Sequence, residues 1–212
     1  MGVLYVFIRN FLTPLCELTS IHPNETIASA LNKMSKHLSL PCVGEADRFV
    51  GIVSKRSIFE AFEAVSGNTS FAEFAKHSVA TCVIHDVPRL TFEDHFEDTI
   101  EIIIRIPFVP IVQDGKFLGI VKRSDVQSAL AVAFATNVEA DRLLLGVPEV
   151  EGAFERLFNT THRLGLSVVT CVPFDAGENL NRRVLLKVRK SQKLDTLVND
   201  LERAGFLVIQ VN

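Results

Sequence analysis

The stretch FVGIVSKRSI at residues 49–58 is written again, with few changes, as FLGIVKRSDV at residues 117–126. A repeat restricts a fold more than composition does, because each copy must be a unit that its twin completes. Sliding the chain against itself by about 69 positions extends the match in both directions. In the first copy Leu18 to Ile21 reads as a short strand, Asn24 as a helix cap, and Ile27, Ala30, Leu31 and Met34 as one helical face. LPCV is then a second strand, GEADR a turn and FVGIV a third strand. In the second copy Val87 to Leu90 is the first strand, and Phe96, Ile100, Ile103 and Ile104 form the helical stripe. VPIV, QDGK and FLGIV come next as strand, turn and strand. A helix closes each copy, SIFEAFEAV in the first and DVQSALAVAFA in the second, giving the order β-α-β-β-α twice. A unit of about 70 residues makes a marginal core, so the two copies are expected to pack sheet to sheet about a pseudo-two-fold axis. That packing leaves clefts where the strand ends of both copies meet.

The remaining residues read as a third unit. Arg142 to Val147 is a strand, Val150, Phe154, Leu157, Phe158 and Thr161 line a helix that stops at Gly165, and LSVVTCVPF and RRVLLKVRK flank the turn DAGENLN. A second helix carries Leu194, Leu197, Val198 and Leu201, Gly205 ends it, and FLVIQV closes the chain. The order β-α-β-β-α-β is a ferredoxin-like plan. On RRVLLKVRK the alternation turns Val184, Leu186 and Val188 inward and Arg183, Lys187 and Arg189 outward. That outward face lacks the stacking aromatics by which an RNA-binding sheet of this plan would hold bases, so a solvated positive edge is preferred.

The totals exclude several classes. At 212 residues and 48% hydrophobic, the chain can build a real core, and its net charge of −3 points to neither nucleic acid nor an anionic membrane. Cys16, Cys42, Cys82 and Cys171 form no C-x-x-C pair and read as reduced, buried thiols. The run VLYVFI is too short for a membrane span, and Val6 stands where a myristoylation motif starting at Gly2 needs Ser or Thr. A cytoplasmic location is therefore expected, and the N-x-S/T matches at Asn24, Asn68 and Asn159 count as turns or helix starts. No G-x-S-x-G, G-x-x-x-x-G-K-S/T or G-x-G-x-x-G is present, and Cys82 with His85 is half a metal set at best. Neither catalysis, a cofactor nor a metal is expected.

The pattern h-x-P-h-h, a turn and G-h-h-S/T-x-x-D, twice over roughly residues 7–135, resembles a pair of CBS domains. The segment PEVEGAFERL, with Gly152 before a helix, resembles the first loop of an ACT domain. The whole resembles proteins of the acetoin-utilisation protein B type and the cyclic di-AMP-binding CBS proteins. The fold class so implied is mixed α/β (α+β), a tandem CBS pair followed by a ferredoxin-like ACT domain. The implied divisions are CBS repeat 1 at 1–68, CBS repeat 2 at 69–138 and the ACT-like domain at 139–212. The resemblance further implies a homodimer that senses an adenine nucleotide and signals to a regulated protein, without nucleic acid or membrane as partners. Two other readings stay open: an interaction module without nucleotide, and a regulator answering an amino acid through the ACT-like loop.

Residues of the repeated tail carry the expected chemistry. Lys122 and Arg123 end a strand where a helix begins at Ser124 or Asp125, so cations and free backbone N–H groups converge on one point. Arg123 suits a phosphate and, by the resemblance, Asp125 accepts from ribose hydroxyls. Ser57-x-x-Glu60 and Ser124-x-x-Gln127 also fit capping boxes, a role compatible with binding. By pseudo-symmetry one cleft joins Leu18, Thr19 and Ser39, with Ser20, Leu38 and Leu40 around them, to Lys122, Arg123, Ser124 and Asp125. The second joins Arg89 and Phe108, beside Leu90 and Val109, to Ser54, Lys55, Arg56 and Ser57, and lacks the carboxylate. AMP, ADP and ATP present a free diol that rewards Asp125, whereas cyclic di-AMP has esterified 3′ oxygens and rewards cations. The architecture tips this balance slightly toward cyclic di-AMP.

Overall fold

The computed structural model of the chain describes residues 7–65, 67, 69–147, 151–174 and 182–212. Gly2, Tyr5, Val6, Asn68, Val150 and the turn DAGENLN lie outside the described residues. The chain divides into two compact units, Met1–Ala129 and Leu130–Asn212, and the division falls within one helix.

In the first unit the elements are β1 (Leu12–Pro14), α1 (Ile27–Lys33), β2 (Ser39–Val43), β3 (Phe49–Ser54), α2 (Lys55–Val65), α3 (Phe71–Phe74), α4 (Asp98–Arg105), β4 (Phe108–Gln113), β5 (Lys116–Lys122) and α5 (Arg123–Ala133). β2 pairs with β3 and β4 with β5, each antiparallel, each with one irregularity at matching places, Cys42/Val43 and Ile111/Val112. Single parallel bridges, Ile21 to Cys42 and Leu90 to Ile111, extend the two ladders on one side. The expected strands Leu18–Ile21 and Val87–Leu90 are thus reduced to one bridge each.

On the other side of each ladder lies a segment that the periodicity does not reveal. β1 pairs antiparallel with β5, matching Thr13 with Ile120 and Pro14 with Gly119, while Ile84 bridges antiparallel to Ile52 of β3. The lead-in to each copy therefore completes the sheet of the other. The repeated glycine is the physical reason: a Cβ at Gly51 would overlap the Ile84 carbonyl oxygen, and one at Gly119 the Thr13 carbonyl oxygen. Two backbones can cross this closely only where a side chain is missing.

Helical faces match the expected spacing with local differences. α1 buries Ile27 and Ala30, with Met34 just beyond it, but its cap is Thr26, whose hydroxyl accepts from the Ser29 N–H at 3.1 Å, rather than Asn24. α4 buries Thr99, Ile102 and Ile103, and Ile104 is 74% exposed. The stripe is rotated by one residue because Thr99, whose hydroxyl donates to the Phe96 carbonyl at 2.5 Å, can sit inside with its polar atom satisfied. Between the copies Val43, Phe49, Ile52, Val87, Phe108, Phe117 and Ile120 form one apolar cluster. The Phe49 and Phe117 rings, equivalent in the repeat, stack at 5.1 Å between centroids. All four cysteines are free thiols; Cys42 and Cys82 are buried as expected, but Cys16 is exposed and Cys171 half-buried. Burial, with the charge of Glu25 adding to it, pushes the Cys42 thiol up to about 11.

The second unit contains β6 (Ala140–Val147), α6 (Ala153–Arg163), β7 (Val168–Phe174), β8 (Arg182–Arg189), α7 (Leu194–Arg203) and β9 (Leu207–Val211). The strand order β7-β8-β6-β9, antiparallel throughout, is the ferredoxin-like order for a β-α-β-β-α-β chain. Val184, Leu186 and Val188 face the core, whereas Phe158 is 43% exposed and Thr160 takes the inward position. Gly165 and Gly205 end the helices in left-handed conformations, with φ of 68° and 89°. Lys187, expected on a solvated edge, instead donates to the Phe134 and Ala135 carbonyls at 2.8 and 3.0 Å.

Candidate functional site

The tail of each repeat turns from strand into helix, and both turns are pinned alike: the Lys55 N–H donates to the Leu38 carbonyl at 3.0 Å and the Arg123 N–H to the Pro107 carbonyl at 3.1 Å. The helix starts themselves are capped differently. In the first copy Ser54 caps α2: its Oγ accepts from the Ser57 N–H at 2.9 Å, while the Ser57 Oγ bonds to the Ser54 backbone at 3.0 Å. The cap thus lies three residues earlier than the expected Ser57-x-x-Glu60 box, and Glu60 is held by the Arg56 Nε at 2.7 Å. Ser57 is buried and its hydroxyl is engaged with backbone.

In the second copy the cap position is Lys122, which has no acceptor, so the expected Ser124-x-x-Gln127 box also gives way. Asp125 stands in the first turn of α5, half-buried, and among the described residues only the Ser124 hydroxyl lies against it, at 3.4 Å. Lys122 is exposed opposite Phe108. Arg123 differs from expectation, since an Nη donates to the Ile106 carbonyl at 2.9 Å and its buried Nε has no partner among the described residues. One arm of that fork is committed to backbone, which leaves Lys122 as the exposed cation of this tail.

A cavity of about 490 Å³ lies between the copies, walled by Leu38, Ser39, Ile52, Ser54, Lys55 and Arg56 from the first and by Asp86, Val87, Arg105, Ile106 and Pro107 from the second, with Ile84 and Glu60 at its sides. It joins the tail of copy one to the start of copy two, as the second cleft was expected to, and it has the size of small-molecule sites. Four placements differ from expectation. Ser39 lines this cavity rather than the one with Asp125, because β2 pairs Ser39 directly with Ser54. Phe108 is only 5% exposed in the cluster between the copies, so Pro107 reaches the cavity in its place. Arg89 lines a different cavity, with Arg48 and His85. The cleft also does not lack carboxylates: Asp86 and Glu60 both line it, and Asp86 is exposed with no side-chain partner among the described residues. Asp86 escapes a reading of the repeat because it lies outside the repeated decapeptide, in the lead-in.

Of the other cleft's expected residues, Leu18 packs half-buried against the cluster between the copies, and Thr19 is exposed. β1, which joins copy one's lead-in to β5, brings this side of copy one to the Lys122–Asp125 tail. His85 of the half metal set donates from its Nδ1 to the Val50 carbonyl at 3.2 Å, and Cys82 is 3% exposed, its thiol pushed up by burial.

Two interlocked β-α-β-β-α copies with a cavity between them define a CBS pair. The CBS domain family model matches residues 8–64 and 79–132, just over half of the chain, and the chain belongs to that family. Solved structures share the fold. A CBS-domain protein from Streptococcus pneumoniae matches with a TM-score of 0.54 and 21% identity, covering 62% of this chain and 86% of its own. The CbpB protein of Listeria monocytogenes in complex with c-di-AMP matches with a TM-score of 0.52 and 19% identity, over 58% of this chain and 93% of its own. CBSX2 in complex with AMP matches with a TM-score of 0.50 and 21% identity, over 59% and 96%. No curated protein matches the sequence significantly. Among the described residues no helix is long and apolar enough to cross a membrane.

Proposed function

We propose that the protein is a non-enzymatic regulator that holds an adenine nucleotide with a free ribose diol in the clefts of its CBS pair. The observation that carries this reading is the cavity between the copies, where an apolar slot of Ile52, Ile84 and Ile106 meets Lys55 and Arg105 and the carboxylate of Asp86, which has no side-chain partner among the described residues. A flat base suits the slot, phosphate suits the cations, and a carboxylate accepts both hydroxyls of a diol. Asp125 offers the same acceptor in the other cleft. Cyclic di-AMP is the second reading, favoured by the three cations of the cavity, Lys55, Arg56 and Arg105, and by the fold shared with a CbpB that holds it.

The rest of the reading is a cytoplasmic homodimer that passes nucleotide occupancy to a regulated protein. An ACT-like role for the second unit is supported by its strand order and by Gly152, whose φ of 78° just before α6 suits a residue without a side chain. The exposed Leu207 and Ile209 of the edge strand β9 offer apolar surface for a second copy. With no Trp and a single Tyr, the protein absorbs little at 280 nm, so a co-purified nucleotide dominates the spectrum near 260 nm. A thermal-shift series with AMP, ATP and cyclic di-AMP tests the reading; ligand at a hundredfold over Kd stabilises by about 2.7 kcal/mol. No shift with any of them refutes it.

A further inference from the structure

A second concavity in the first unit, about 610 Å³, is lined by Arg48, Phe49, Val50, His85, Arg89, Val112 and Gly115. Its nitrogen-bearing side chains, Arg48, His85 and Arg89, come from the hairpin turn of copy one, the lead-in to copy two, and a position four residues further on. None of its lining residues is acidic. Arg48 and Arg89 are exposed and have no side-chain partner among the described residues, unlike Arg56, Arg163 and Arg203, each of which meets a carboxylate. His85 donates from Nδ1 to the Val50 carbonyl, which fixes the ring against β3 and leaves Nε2 without a protein partner among the described residues. Gly115, at φ 77° with nothing within 4 Å of an added Cβ, keeps one side open.

We propose that this concavity is an anion site for a phosphate-bearing small molecule, separate from the nucleotide clefts. Two guanidinium forks from different segments, with an imidazole between them in sequence, offer more donors than the two oxygens of a carboxylate can use. A phosphoryl group, with three acceptor oxygens and nearly two charges, matches them. Concavity and an apolar wall of Phe49 and Val112 suit a small molecule rather than a flat macromolecular surface. The segment Ile84–Arg89 is shared, with Ile84, Asp86 and Val87 lining the nucleotide cavity and His85 and Arg89 lining this one. The anion site can therefore couple to the cleft through one stretch of backbone.

Calorimetric titration with inorganic pyrophosphate at low salt is the test, with malonate as a dicarboxylate control. Saturable pyrophosphate binding is expected, weakened about tenfold or more by Arg48→Ala and by Arg89→Ala, less by Arg89→Lys, and unchanged by Asp125→Ala. Nucleotide binding is measured separately on the same variants, so the site stands or falls apart from the cleft. Absence of saturable pyrophosphate binding, indifference to both arginine substitutions, or equal affinity for malonate overturns the proposal.

Discussion

The two copies share a backbone plan down to the matched hydrogen bonds at Lys55 and Arg123, yet their tails end in opposite chemistry. In copy one Ser54 and Ser57 close on each other and satisfy the helix start, so the tail's own side chains are spent on structure. In copy two Lys122 and Asp125 leave the helix start without that ring and keep a cation and a carboxylate for something else. A repeat thus keeps geometry more readily than function: the carboxylate absent at Ser57 is offered to the same cleft by Asp86, from a different element.

The largest expected effect probes what the copies share. Gly51→Ala and Gly119→Ala each force a Cβ into the lead-in backbone of the opposite copy, and each is expected to destabilise by about 3 kcal/mol, seen as a lower urea midpoint. If one is tolerated and the other is not, the two crossings are not equivalent. Next come the carboxylates. Asp86→Ala and Asp125→Ala are each expected to weaken AMP at their own cleft by about tenfold or more, the worth of a charge-assisted bond, while sparing cyclic di-AMP. Equal loss of both ligands in calorimetry would remove the case for a diol.

A smaller effect belongs to copy one alone. Glu25 accepts from the His22 N–H, Ser29 Oγ and Lys33 Nζ at 2.8, 2.7 and 2.6 Å. Burial raises its pKa, but these three bonds outweigh it and hold the carboxyl below its ordinary 4.5. The folded pKa is depressed, so the stabilisation is fully present above about pH 4.5 and is lost as pH falls through the lower folded value. Glu25→Gln is expected to cost about 1 kcal/mol at pH 7 and to flatten the acid limb of stability against pH; an unchanged limb would show that the carboxylate is not the source. A comparable effect and then the smallest one invert the tails: Ser54→Ala is expected to lose about 1 kcal/mol by uncapping α2, and Lys122→Ser to gain about 0.5 kcal/mol by capping α5, both measured by chemical denaturation.

Much of the fold can be read from residues alone, because helical stripes such as Ile27, Ala30 and Met34, or the alternation of Val184, Leu186 and Val188, are local consequences of the 3.6 and 2.0 residue periods. The stripe in α4 reads one residue out of place because a threonine with a satisfied hydroxyl can be core, which hydrophobicity does not announce. The clefts are legible only where they fall on the repeat. Ser39, Ser54 and Arg56 line the cavity between the copies and are named from the repeat, and Arg89 is named too but lines the other cavity, while Asp86, Arg105 and Arg48 lie in a lead-in, a helix end and a turn without a pattern.

The sequence by itself determined that this chain is two copies of one unit followed by a βαββαβ unit, since period, turn residues and repetition are all written locally. Tertiary structure alone decided that the lead-ins cross over, so that Leu12–Pro14 joins β5 and Ile84 joins β3. A strand of three residues has no periodicity to betray it, and β1 lies about a hundred positions from its partner. Pairing at that distance is selected by packing against Gly51 and Gly119, not by any property of the short segment. The same crossover places Asp86 in the cleft where copy one has Ser57 in place of the second copy's Asp125.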